Sequence, residues 1–202
     1  MKSLLYYISQ GETPADHLKN IENVCRAGIS WIQLRMKNTS ESIVLKTAQK
    51  AKIICDQYHA KLIINDHPSV AQKVNAYGLH LGLNDLTPDE ARKIFKKGLI
   101  GGTANTLDDC LLRIEQQVDY IGLGPFRYTQ TKEKLSPILG IEGYQTILKH
   151  LKKQNYSIPI VAIGGIKSPD FEPLLETGIH KIAVSGILSN QSSETIHSIF
   201  KP

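Results

Sequence analysis

The chain has 202 residues, of which 41% are hydrophobic and 21% charged, proportions that fit a folded globular protein and exclude a disordered or fibrous one. Lys and Arg outnumber Asp and Glu by 24 to 19, a net charge of +5, and the basic runs at 92–97 and 149–153 look like solvated helix faces rather than the clustered stripe of a nucleic-acid binder. No stretch approaches the roughly 18 apolar residues of a membrane span, no cleavage site follows the first apolar run, and cysteines 25, 55 and 110 include no Cys-x-x-Cys pair, so a membrane protein, a disulfide scaffold and a structural zinc site are excluded and a cytoplasmic protein is expected.

The first apolar run, 4–8, predicts a strand, and Thr13-Pro14 opens a helix with a capping hydroxyl and a proline at its first position. A second strand at 31–34 precedes a long helix from Ser40-Glu41 to about Tyr58. The third, at 61–65, leaves room only for a short helix near 69–74 before the fourth, at 78–81. Thr87-Pro88-Asp89-Glu90 is a capping box. After the fifth strand, 99–103, Thr106 caps a helix over 107–116. The sixth strand, 120–124, is followed by the longest connection and then by a helix over 141–153, whose Ile141, Tyr144, Ile147, Leu148 and Leu151 have helical spacing. The seventh strand is expected at 158–163, a helix opens at Ser168-Pro169, and the eighth strand lies at 182–184. Most of the runs are continuously apolar, as in parallel strands covered on both faces. Eight such strands alternating with helices predict a single-domain (β/α)8 TIM barrel over residues 1–202, with a doubly wound sheet as the alternative.

In such a barrel, chemistry gathers where the strands end. Gln33, Arg35 and Lys37 share one side of the second strand and its extension, and two cations with an amide suit a phosphate or diphosphate, although a solvated strand end has the same pattern. Asp66 follows the third strand and Asp85 the fourth. Two carboxylates at neighbouring strand mouths match Mg²⁺, which takes one or two of them and completes its octahedron with waters and substrate phosphates. His80 reads as a packed, hydrogen-bonded strand residue. Gly101-Gly102-Thr103 gives glycines that permit close approach and a hydroxyl. The loop after the sixth strand carries Thr129, Thr131 and Lys132, and can close over an anion. Gly164-Gly165 and Ser185, after strands seven and eight, stand where such barrels bind phosphate through backbone N–H groups.

The runs Gln33-Leu34-Arg35-Met36-Lys37, Ile64-Asn65-Asp66, His80-Leu81-Gly82 with Asp85, Tyr120-Ile121-Gly122-Leu123-Gly124-Pro125, Thr129-Gln130-Thr131-Lys132, Ala162-Ile163-Gly164-Gly165-Ile166 and Val184-Ser185 together make the chain resemble the thiamine phosphate synthase (thiamine-phosphate pyrophosphorylase) family, from about Ile29 to Leu188. The resemblance implies a TIM barrel and a Mg²⁺-dependent transferase. That enzyme joins 4-amino-2-methyl-5-hydroxymethylpyrimidine diphosphate to 4-methyl-5-(2-hydroxyethyl)thiazole phosphate by dissociative loss of diphosphate. Carried over, Gln33, Leu34, Arg35, Met36, Lys37, Asn65, Thr103 and Lys132 hold the pyrimidine diphosphate, with Arg35, Lys37, Thr103 and Lys132 catalytic. Asp66 and Asp85 hold Mg²⁺. Thr129, Gln130, Thr131, Gly165, Val184 and Ser185 hold the thiazole phosphate. The implied partners are phosphorylated small molecules, with room for a homodimer.

The chain departs from the family at Thr103 (usually Ser), Leu83 (usually Gln), Asn105 (often His), Gly186 (usually Ala) and Phe126-Arg127-Tyr128 (more often Phe-Pro), where Arg127 is expected to face solvent. A thiazole tautomerase of the related family and a barrel that only binds thiamine phosphates are the alternatives.

Overall fold

The computed structural model describes residues 2–128 and 137–199. After a 3₁₀ turn at Lys2–Leu4, strands and helices alternate in the order β1 (Leu5–Ile8), α1 (Pro14–Arg26), β2 (Trp31–Leu34), α2 (Glu41–Gln57), β3 (Lys61–Asn65), α3 (Pro68–Lys73), β4 (Gly78–Leu81) and α4 (Pro88–Ile94). They continue with β5 (Leu99–Ala104), α5 (Leu107–Glu115), β6 (Tyr120–Leu123), α6 (Gly140–Lys153), β7 (Ile160–Ile163), a 3₁₀ turn at Ser168–Asp170 leading into α7 (Phe171–Glu176), β8 (Lys181–Val184) and α8 (Ser193–Ile199). The eight strands form a closed, all-parallel barrel in sequence order, sealed where Leu5 pairs with Ile182 and Tyr6 with Ala183. The expected TIM barrel is therefore the observed fold, and an open doubly wound sheet is not. Among the described residues no helix is long and apolar enough to cross a membrane.

The caps act as the sequence predicts. Thr13, Thr87 and Thr106 each accept from the backbone N–H three residues on, while Asp16, Glu90 and Asp109 bond back to the cap. Each pairing satisfies donors that a helix start leaves unpaired. Ser40 precedes α2 without a side-chain cap bond. The seventh strand begins at Ile160, two residues later than expected, because Pro159 has no N–H to give a ladder. The helix α8 carries no expectation from the sequence.

Two cores result. The larger fills the space between strands and helices and takes in Leu34, Ile64, Leu79, Ile121 and Val184. The smaller fills the barrel with Tyr6, Ile63, Tyr120, Val161 and Ala183, joined by Ile8, Trp31 and Ile163. Large rings fit inside because neighbouring positions are glycine. A Cβ on Gly101 would lie 2.0 Å from the Tyr120 ring, one on Gly102 would lie 2.7 Å from Cδ of Arg113, and one on Gly122 would lie 2.9 Å from the His80 ring. The close approach expected at Gly101 and Gly102 is thus made by the protein's own side chains.

Gly101→Ala should be destabilising by at least the roughly 1–3 kcal/mol of an overpacked core, lowering the melting temperature by several degrees. A Gly101→Ala protein that melts like the parent would remove this account of the interior.

Candidate active site at the carboxyl ends of the strands

The residues that the sequence singles out lie at one end of the barrel, but they do not all face it. On β2, Gln33 points into the barrel and donates to the Tyr6 hydroxyl at 2.7 Å, while Leu34 and Met36 turn outward into the larger core. Only the backbone of these two is left to meet a ligand. Arg35 is half-buried just past the strand, where its N–H donates to Ser9 Oγ at 3.1 Å. Extended geometry ends here, and Asn38 takes a left-handed φ of 55° in the turn that follows.

That turn brings Lys37 to Asp66. Its ammonium forms an ion pair with the Asp66 carboxylate. Asp66 holds a left-handed φ of 62°, and its N–H donates to the His80 carbonyl at 2.9 Å. Asp85 folds back on its loop to accept from the Gly82 N–H at 2.6 Å. The Asp66 and Asp85 carboxyls interact, and their acidities diverge. Burial, and then the neighbouring Asp85, push the Asp66 carboxyl above its usual value despite Lys37. Burial also acts against Asp85, but the bonds from Asp66 and the Gly82 N–H outweigh it and hold Asp85 below its usual value. Two interacting carboxyls at neighbouring strand ends, one made less acidic and the other more, suit a shared cation. Among the described residues no third His, Cys, Asp or Glu completes a protein-only metal cage. That fits a hard cation which keeps waters and substrate oxygens in most of its positions.

Thr103 stands half-buried on β5, beside Gly122 of β6. Its hydroxyl lies 3.0 Å from His80 Nε2, and His80 Nδ1 lies 3.1 Å from the Tyr120 hydroxyl, so His80 is the hydrogen-bonded strand residue expected of it. Tyr120 in turn lies 3.1 Å from the Tyr6 hydroxyl. Burial pushes the pKa of both tyrosines well above the usual value, so both are neutral and keep their protons to donate. Beneath Thr103 lies a residue the sequence reading missed. Arg113 of α5 is 3% exposed and donates to the carbonyls of Thr103 at 3.0 Å and Gly82 at 2.8 Å, and to the side chain of Gln116 at 2.8 Å. It braces the end of β5 against the loop that carries Asp85. The signal that could have found it is Gly102, whose missing side chain is the space Arg113 fills.

The loop after β6 runs along the end of β7. Phe126 and Arg127 donate through their N–H groups to the carbonyls of Ile163 and Gly164, each at 2.9 Å. Gly164 and Gly165 have φ of 99° and 67°, and a Cβ on them would lie 2.8 Å from Pro125 and 3.0 Å from Arg127, so both requirements select glycine. Arg127, expected simply to face solvent, is exposed yet holds Asp170 with two bonds, at 2.7 and 2.9 Å, and the Gly165 carbonyl at 2.9 Å. That pairing holds the Asp170 carboxyl below its usual value. Val184 packs in the larger core, and the Ser185 hydroxyl reaches Gln10 at 3.4 Å. Asn65 is buried at the end of β3. Thr129, Gln130, Thr131 and Lys132 lie outside the described residues.

The family model for thiamine monophosphate synthase matches residues 5–188. The chain belongs to this family. Among its relatives, a thiamine-phosphate synthase of Flavobacterium johnsoniae is 49% identical over 97% of this chain and 93% of its own length. One of Methanococcus maripaludis is 32% identical over 98% and 95%. A solved thiamine phosphate pyrophosphorylase from Pyrococcus furiosus superposes with a TM-score of 0.82 at 26% identity, covering 98% of this chain and 95% of that one. Within a family barrel of this kind, the carboxyl pair, Lys37 and Thr103 occupy the end where barrel enzymes carry their chemistry.

The raised Asp66 makes a prediction about stability. Its ionised form is the disfavoured one in the folded chain, so the penalty is absent below the ordinary carboxylate range and develops as pH rises through the raised value. Asparagine removes the charge, can still donate to Asp85 and tolerates a positive φ better. Metal-free Asp66→Asn should therefore melt higher than the parent at neutral pH, by roughly 2–4 °C for about 1 kcal/mol in a chain of this size. The gain should disappear at acid pH. Melting curves at both pH values check this, and equal melting at neutral pH would contradict the assignment.

Proposed function

We propose that this chain is a thiamine phosphate synthase, a cytoplasmic, single-domain transferase. It displaces diphosphate from the hydroxymethylpyrimidine diphosphate by the ring nitrogen of the thiazole phosphate. The observation that carries the reading is the Asp66–Asp85 pair beside Lys37 at the mouth of a barrel of this family. A thiazole tautomerase needs one phosphate pocket and a proton-transfer group, and gives a carboxylate pair with an adjacent ammonium nothing to do.

Mg²⁺ held by Asp66 and Asp85 would supply positive charge against the diphosphate oxygens. Lys37, already drawn to Asp66, adds an ammonium at the same place, and Arg35 stands two residues earlier with a planar fork for phosphate oxygens. Thr103 offers a hydroxyl from β5, beside His80 of the neighbouring strand. Lys132 is assigned as a third side-chain cation for the diphosphate. Gly165, Ser185, Thr129 and Thr131 are assigned to the thiazole phosphate, with Gln130 and the Val184 backbone beside them. Gln33, Asn65 and the backbone of Leu34 and Met36 complete the pyrimidine side. No strong nucleophile or base is needed. The aminopyrimidine ring itself stabilises the methylene cation left when diphosphate departs, and the protein stabilises the leaving group and aligns two rings.

The purified protein, given both substrates and Mg²⁺, should form thiamine phosphate and diphosphate, and chelator should abolish the product. Arg35→Ala should lose a charge-assisted contact of roughly 1.5–3 kcal/mol, a fall of about ten- to a hundredfold in kcat/KM. Because the contact tightens as charge develops on the leaving group, kcat should share in the fall. A change confined to KM would remove Arg35 from that role.

A further inference from the structure

Five side chains from five strands form one unbroken hydrogen-bond chain through the barrel interior. It runs from Gln33 on β2 to Tyr6 on β1 at 2.7 Å, to Tyr120 on β6 at 3.1 Å, to His80 on β4 at 3.1 Å, and to Thr103 on β5 at 3.0 Å. All but Thr103 are buried. Its two ends, Gln33 and Thr103, are residues the functional reading places against the pyrimidine diphosphate. Its three middle members touch no ligand in that reading. Gly101 and Gly122 lack side chains where a Cβ would strike the Tyr120 and His80 rings, so the barrel is built around this chain.

A chain of groups with one proton each has a direction. The Gln33 amide donates to Tyr6. The Tyr6 proton is then free to go to Tyr120, and the Tyr120 proton to His80 Nδ1. An imidazole that accepts at Nδ1 and is neutral carries its proton on Nε2, and that proton goes to the Thr103 oxygen. The Thr103 proton is thereby turned away from His80, toward the mouth. Turned over, the Gln33 amide would reverse every bond and leave Thr103 donating inward, with lone pairs facing the ligand. A diphosphate offers acceptors only, so the first direction matches it and the second repels it. The same direction leaves the Gln33 carbonyl oxygen as an acceptor, which suits the amino group of the pyrimidine.

We propose that Tyr6, Tyr120 and His80 are positioning residues: a one-way hydrogen-bond chain that makes Thr103 a donor to the diphosphate and Gln33 an acceptor for the ring amino group, coupling the recognition of the two ends of one substrate. The coupling rests on the synthase reading, whereas the direction of the chain does not. Breaking the chain frees the Thr103 hydroxyl to rotate, so part of its contribution to the transition state is lost even though it still touches the substrate.

Two measurements test this. In the ligand-free protein, ¹⁵N spectra of labelled histidine, with the His80 resonances identified by their loss in His80→Gln, should report a neutral ring protonated at Nε2. A proton on Nδ1, or a charged ring, overturns the direction and with it the proposal. In the enzyme, Gln33→Ala and Thr103→Ala should each lower kcat, and together by clearly less than the product of the two factors, because either change already breaks the chain. In a Tyr120→Phe background the two factors should multiply. Where Tyr120→Phe does not fold, Tyr6→Phe cuts the chain one link earlier and should give the same result. Factors that already multiply in the parent overturn the coupling. A parent that forms no thiamine phosphate overturns the functional reading instead, and the histidine spectrum still decides the direction.

Discussion

An eight-stranded barrel has an interior just wide enough for side chains to fill, and here much of the filling is polar. Tyrosine, histidine and glutamine enter that space only if every donor and acceptor finds a partner, since an unmade bond in a dry interior costs about 1–3 kcal/mol. Among the described residues no buried side-chain nitrogen or oxygen is left without one. The constraint propagates outward. The rings need glycines on β5 and β6, the glycines fix where the rings stand, and the rings hold His80 against Thr103 at the rim. The mouth inherits its geometry from hydrogen bonds made well below it.

A second layer of support comes from outside the barrel. Arg113 reaches from α5 to the backbones of Thr103 and Gly82, and its burial works against its charge. Gly82 in turn holds Asp85. A buried guanidinium is tolerated because its donors are spent on carbonyls, and removing it would leave those carbonyls unpaired. At the same end of the barrel, Arg127 joins the loop after β6 to Asp170. The Arg127 side of that pair is open to solvent, so it serves geometry more than stability.

Much of this was legible in the residues. The runs at 31–34, 61–65 and 78–81 coincide with β2, β3 and β4, because continuous apolar segments bounded by turn residues leave few alternatives. The caps were legible because Thr13, Thr87 and Thr106 each stand three residues before an acid. The nearness of Asp66 to Asp85 follows from adjacent parallel strands, whereas the ion pair of Lys37 with Asp66 depends on the turn after β2. Tyr6 and Tyr120 looked like apolar filling, since a strand pattern reports the face and not the hydroxyl's partner. Arg113 carries no expectation from the sequence, since helical spacing says nothing of a gap in the sheet beneath it. Leu34 and Met36 belong to the ligand-binding run only through the family resemblance, whereas strand alternation alone sends them outward.

Gly102 and Arg113 occupy a single volume, which limits the order in which this barrel can change. Any side chain at 102 meets the arginine at 2.7 Å, whereas a smaller residue at 113 leaves a gap and takes its bonds from two carbonyls. A lineage can therefore lose the arginine first and later fill the glycine, but it cannot take those steps in reverse. Relatives should separate into those that keep glycine with arginine and those that have neither, with glycine beside a small residue as the only passage between them.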